Sequence, residues 1–134
     1  MTETTRPVLQ AVGNYDLLEK IAEGGMGTVY RGRERTSGQV VAVKIAPAHV
    51  ARNETLLKRF KQEYSAAKSL EHPNIVRALD YGFHGSLPYL VMEFVEGESL
   101  GQKLERDGAL SEADAIRLIG QVAQGLHKAH KQGL

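Results

Sequence analysis

Between Gly24 and Gly27, three of four residues lack a Cβ, with Met26 the exception. Such a cluster lets backbone approach a ligand closely, and the residues after it narrow the fold. A dinucleotide-binding loop or a Walker loop opens a helix, and a Walker loop ends in Gly-Lys-Ser/Thr. Here the continuation is Thr28-Val29-Tyr30-Arg31, whose β-branched and aromatic residues favour a strand. No Gly-Lys pair occurs anywhere in the chain. The stretch from Ile21 to Lys44 therefore reads as strand, glycine turn, strand, short turn, strand. A glycine turn inside a β-hairpin can lie over phosphates as a lid.

The third of these strands, Gln39-Val40-Val41-Ala42-Val43-Lys44-Ile45, carries the next constraint. Alternation puts Val41, Val43 and Ile45 on one face, and Ala42 with Lys44 on the other. A flat ring fits over the small Ala42 while the Lys44 ammonium reaches the phosphates. Taken alone, Lys44 suits a solvated position on a half-buried strand. The glycine hairpin directly upstream turns the reading toward a phosphate ligand.

These residues together resemble the start of a protein kinase domain, most closely that of the bacterial, eukaryotic-like Ser/Thr kinases. The family's glycine loop, Gly-x-Gly-x-x-Gly-x-Val, and its Val-Ala-Ile-Lys strand stand here as Ala22-Glu23-Gly24-Gly25-Met26-Gly27-Thr28-Val29 and Val41-Ala42-Val43-Lys44. Ala22 in place of the first glycine is a departure that adds one methyl, so a stiffer loop edge is expected. The resemblance implies an α+β fold: a kinase N-lobe with a five-stranded antiparallel sheet and one helix, then the hinge and the first two helices of a truncated C-lobe. It implies a flexible leader over residues 1–13, the N-lobe over 14–94, and the hinge and C-lobe start over 95–134. It further implies that ATP lies against Ile21, Ala22, Glu23, Gly24, Gly25, Met26, Gly27, Thr28 and Val29. Ala42, Lys44, Met92, Glu93 and Val95 complete that implied set, with Mg bound by ligands outside these residues.

Composition sets the outer bounds. A length of 134 residues suits one domain with a modest core. With 17 Lys and Arg against 16 Asp and Glu, the net charge of +1 points to neither nucleic acid nor a membrane surface as partner. The absence of cysteine excludes disulfides and thiolate metal sites and suits a reducing cytoplasm. Met1 to Gln10 has no apolar core of the kind a signal peptide needs. No apolar run approaches the roughly 20 residues of a membrane helix. A cytoplasmic location is expected.

Along the rest of the chain, Tyr15–Ala22 reads as the first strand, and Pro47 ends the strand that carries Lys44. A helix is expected from about Asn53, a fair N-cap, to Glu71, with Leu57, Phe60, Tyr64 and Ala67 at helical spacing. Glu63 falls on or beside that apolar stripe, where a carboxylate needs a partner because an unpaired buried charge is costly. Lys44 is the candidate. The resemblance implies the same pair, with Glu63 holding Lys44 and Lys44 holding the α- and β-phosphates; these are the two expected catalytic residues.

His72-Pro73-Asn74-Ile75-Val76 resembles the family's turn after that helix, and proline stops the helix there. His72 reads as structural and His84 as a loop-tip histidine. Val76–Phe83 and Leu87–Phe94 read as strands. Tyr89 to Gly97 resembles the kinase hinge, which implies Met92 behind the adenine and backbone bonds from Glu93 and Val95. Ser99 and Ser111 have capping-box spacing before two helices. The second helix carries Ile116, Ile119, Ala123 and Leu126 on one stripe. His127 and His130 sit near its C-terminus and have no evident third ligand for a metal.

The resemblance places a His-Arg-Asp catalytic loop and an Asp-Phe-Gly motif beyond Leu134. Neither motif occurs within the 134 residues. Asp80, Asp107 and Asp114 lack the matching context, so the chain alone is expected to hold ATP without transferring its phosphoryl group. Two further readings stand beside the kinase one. The chain could be a binding module for nucleotide or for a partner kinase, or a gene remnant with no stable fold.

Overall fold

The computed structural model describes residues 10–134. Residues 1–9, most of the expected leader, lie outside the described residues. The described residues form six strands: β1 (Ala11–Val12), β2 (Tyr15–Gly24), β3 (Gly27–Glu34), β4 (Val40–Ile45), β5 (Ala78–His84) and β6 (Leu87–Glu93). Four helices accompany them: α1 (Ala48–Ala51), α2 (Glu54–Lys68), α3 (Leu100–Asp107) and α4 (Glu112–Lys131).

The strands form one antiparallel sheet in the order β1-β2-β3-β4-β6-β5. Five strands were expected, and the sixth is β1, inside the stretch read as leader. Its signal was Gly13-Asn14, a two-residue hairpin turn with Gly13 at φ 52°. That turn returns Val12 to pair with Tyr15, and Val12 is fully buried.

Alternation gives the sheet two apolar faces. Val41, Val43 and Ile45 pack with Val12, Tyr15, Tyr89 and Val91 on one of them. On the other, Leu90 packs with Ala46, Val50 of α1 and Phe60 of α2. Burying each large apolar side chain stabilises by roughly 1.5–3 kcal/mol, so both faces hold the sheet to its register. The Tyr15 hydroxyl donates to Asp80 Oδ2 at 2.9 Å. β2 and β5 lie near opposite ends of the sheet order, so this bond requires the sheet to curl. Burial and the bond to Asp80 hold the Tyr15 hydroxyl well above the usual phenol range.

Asn53 caps α2 as expected, its Oδ1 accepting from Leu56 N at 3.1 Å. The helix ends at Lys68, three residues short of the expected Glu71. His72 then organises the turn: its Nδ1 accepts from Asn74 N at 3.0 Å, and its carbonyl accepts from Ile75 N at 3.1 Å. The chain is still turning at Ile75, so β5 begins at Ala78 rather than Val76. Both caps of the later helices are present. Ser99 and Gln102 form a full capping box, and Ser111 Oγ accepts from Asp114 N at 3.1 Å.

Candidate nucleotide-binding site

The glycine hairpin is a two-residue turn, Gly25-Met26, closed by the pair Gly24–Gly27. The three glycines differ in what the protein asks of them. Gly27 has φ 123°, and a Cβ there would lie 2.3 Å from the Ile45 carbonyl oxygen. No other residue fits that close approach. Gly24 and Gly25 have nothing within 4 Å of a built Cβ. The chain's own packing does not demand glycine at these two positions, so the space beside them is open to a ligand.

Strand pairing gathers the expected residues on one sheet face. Lys44 pairs with Val29 on β3 and Leu90 on β6, while Ala42 pairs with Arg31 and Met92. Side chains opposite one another in an antiparallel ladder share a face. Val29, Ala42, Lys44 and Met92 therefore face the same way, toward the side that α2 covers at its Leu90 end. Thr28 pairs with Glu23 and Ala22 with Val29, so Ala22 in the first glycine's place leaves the hairpin ladder intact. A register shift beside Ile21 leaves that residue 47% exposed at the rim.

Lys44 Nζ lies 3.3 Å from Glu63 Oε1 and 5.8 Å from the centre of the Phe60 ring. The pair expected from the sequence is formed, but its electrostatics differ from the expectation. The Glu63 side chain is 47% exposed and that of Lys44 only 14%. The buried member of the helix stripe is Phe60, and Glu63 sits at its edge. Desolvation thus falls on the lysine, whose ammonium needs an anion, while Glu63 keeps water as a second partner.

Gly25, Met26, Lys44 and Glu63 line one cavity of about 240 Å³ together with Val50 and Phe60. Glu93 and Val95, the expected hinge residues, line another, of about 510 Å³, with Asn74, Ile75 and Gln121. No lining residue is shared between the two, while the β4–β6 ladder sets Ala42 beside Met92 and Val41 beside Glu93. The Glu93 N–H donates to the Arg77 carbonyl at 2.9 Å.

The acids considered as catalytic substitutes are all engaged elsewhere. Asp80 Oδ1 accepts from Tyr81 N at 2.8 Å and its Oδ2 from Tyr15. Asp107 pairs with Lys103 and Arg106, and Asp114 lies 3.4 Å from Arg117. Among the described residues, no group of three or more His, Asp or Glu is placed to hold a metal. No helix there is long and apolar enough to cross a membrane.

The protein kinase domain model matches residues 15–134. The chain belongs to the protein kinase family. Among its curated relatives, a probable serine/threonine-protein kinase of Clostridium perfringens is 42% identical over 124 residues, covering 92% of this chain and 18% of that protein. The serine/threonine-protein kinase PrkC of Bacillus subtilis is 34% identical over 119 residues, covering 89% and 18%. The crystal structure of the Mycobacterium tuberculosis PknI kinase domain superposes with a TM-score of 0.82 at 25% identity, over 96% of this chain and 53% of that one. This kinase-family chain thus spans about a fifth of the curated relatives' length and about half of a solved kinase domain, the N-terminal part. One element beside the site, α1, was not expected from the sequence, although its Val50 lines the cavity that holds Lys44 and Glu63. Four residues after Pro47 carry too little periodicity to announce a helix.

Proposed function

We propose that these residues are the ATP-cradling part of a serine/threonine protein kinase, which transfers the γ-phosphoryl of MgATP to Ser or Thr hydroxyls of a protein. The observation that carries this reading is the Lys44–Glu63 pair at 3.3 Å beside the open end of the glycine hairpin. Gly24, Gly25 and Gly27 approach the phosphates through backbone. Lys44 holds the α- and β-phosphates, and Glu63 holds Lys44. Ile21, Val29 and Ala42 cover the adenine, with Met92 behind it and the Glu93 carbonyl and Val95 backbone along its edge. Magnesium, when bound, neutralises charge on the phosphates; its ligands are not among these residues. The N-lobe occupies residues 14–94, and the hinge and C-lobe start occupy 95–134.

Phosphoryl transfer needs a base for the hydroxyl and carboxylates for the metal, and these 134 residues contain neither expected motif. A second reading therefore stands, a nucleotide- or partner-binding module without transfer. It is favoured by Ile116 and Ile119 on α4, each 66% exposed.

Ligand that binds only the folded state stabilises it by mass action, about 2.7 kcal/mol at a hundred times Kd. Thermal unfolding with millimolar MgATP should shift upward in the wild type and lose most of that shift in Lys44→Met. No shift in the wild type would sink the ATP-cradling reading and the nucleotide-binding form of the second, leaving only a partner-binding module. If the chain is joined to a segment carrying the catalytic loop and autophosphorylates, with Lys44→Met abolishing it, the kinase reading holds over the module.

A further inference from the structure

Met26 is 73% exposed, the most exposed large apolar residue among the described ones. It sits at the tip of a turn flanked by glycines, where no burial explains an apolar side chain. The hairpin beneath it is held unevenly. Gly27 is pressed against the end of β4, whereas nothing packs at Gly24 and Gly25. On the free side of the tip, Met26 lines a cavity together with Val50, Leu56 and Phe60. The chain has no cysteine, so no thiol competes for a soft oxidant, and its three methionines are Met1, Met26 and Met92. Met92 is half-buried against the Ala46, Val50, Phe60 and Leu90 cluster, and Met1 lies outside the described residues.

We propose that Met26 is a peroxide-sensitive modification site, and that its oxidation frees the hairpin tip and weakens nucleotide binding. The second part rests on the ATP reading above. In the step, the thioether sulfur attacks one oxygen of hydrogen peroxide. The O–O bond breaks, an S=O bond forms and water leaves. Sulfur gives up two electrons and peroxide is reduced. The sulfoxide is polar and is better solvated in water than in a cavity that Val50, Leu56 and Phe60 also line, which draws the tip outward. The new oxygen also carries partial negative charge at the edge of the expected phosphate position. Reduction by a methionine sulfoxide reductase with a thiol donor reverses the step.

The test treats the folded chain with hydrogen peroxide and follows three readouts: peptide mass spectrometry, amide exchange over residues 24–28, and the Kd for MgATP. Met26 should oxidise about tenfold faster than Met92, amide exchange at the tip should rise, and the Kd should increase by about threefold or more. Met26→Leu should show neither change on the same treatment, and sulfoxide reductase should restore the oxidised wild type. Equal oxidation of Met26 and Met92 would overturn the proposal, as would selective Met26 oxidation without a change in tip exchange. If the untreated chain binds no ATP, the nucleotide reading falls, and mass spectrometry with amide exchange still decides whether Met26 is the sensitive site.

Discussion

The curled sheet and the two C-terminal helices are built on opposite terms. Val12, Val43 and Val91 in the sheet are fully buried, whereas Ile116, Ile119, Val122 and Leu126 on α4 are 53–66% exposed. The sheet is held by packing on both faces. α3 and α4 are defined at their starts by local chemistry, the capping box at Ser99 and the Ser111 cap. α4 touches the turn after α2, where the Asn74 side-chain amide donates to the Gln121 carbonyl at 2.9 Å and Gly125 lies against Ile75, and its C-cap Gln132 reaches the Ser69 carbonyl at 3.5 Å. The contrast teaches that cap and turn signals suffice to shape a helix, while its apolar stripe records packing that these residues do not themselves supply.

The largest expected difference comes from truncating one residue on each side. Leu90→Ala empties a fully buried position and should destabilise by about 2–5 kcal/mol. Ile119→Ala should change stability by less than about 0.5 kcal/mol, as a surface substitution does. Chemical denaturation of both variants measures this, and a comparable loss for Ile119→Ala would break the comparison.

Next in size is Tyr15, whose neutral hydroxyl is the form the fold favours. The folded state holds the proton above the ordinary phenol pKa of about 10, so the unfolded chain releases it first. Stability contributed here is present below that value and declines as pH rises beyond it. Tyr15→Phe leaves Asp80 Oδ2 without its donor and should cost about 1–3 kcal/mol at pH 8. The decline of stability above pH 10 should also become shallower. Tyr89 and Tyr81, whose hydroxyls burial also pushes up, keep part of the slope. An unchanged pH profile in Tyr15→Phe would remove Tyr15 from the account.

The smallest effect has the opposite sign. Gly120, inside α4, has nothing within 4 Å of a built Cβ. Gly120→Ala should stabilise the helix by about 0.5–1 kcal/mol, read as slower amide exchange along α4. A loss of stability instead would mean that this face is already in close contact.

The sequence disclosed most where a residue type has one physical use. The glycine cluster followed by β-branched residues required a hairpin, and the alternation around Lys44 put it on a face with Ala42. Asn53, Ser99 and Ser111 announced their helices through caps. The Lys44–Glu63 pair was legible from spacing, but the half-exposure of Glu63 was not, because the stripe's edge depends on how α2 rotates over Leu90. β1 was missed although Gly13-Asn14 announced it, since two residues are too few to show alternation. That Lys44 and Glu93 line separate cavities arises from tertiary packing and leaves no trace in residue type.

The bond from Tyr15 to Asp80 joins residues 65 apart in the chain, and this sets an order of events. β2, β3 and β4 are consecutive neighbours and can pair as soon as residue 45 has left the ribosome. The curl cannot close until residues 78–93 arrive, because β6 must dock on β4 and β5 must bring Asp80 to Tyr15. Until then Val41, Val43 and Tyr15 face water. The nascent chain therefore passes through an interval in which half of its future core is made and uncovered, when a chaperone would find it.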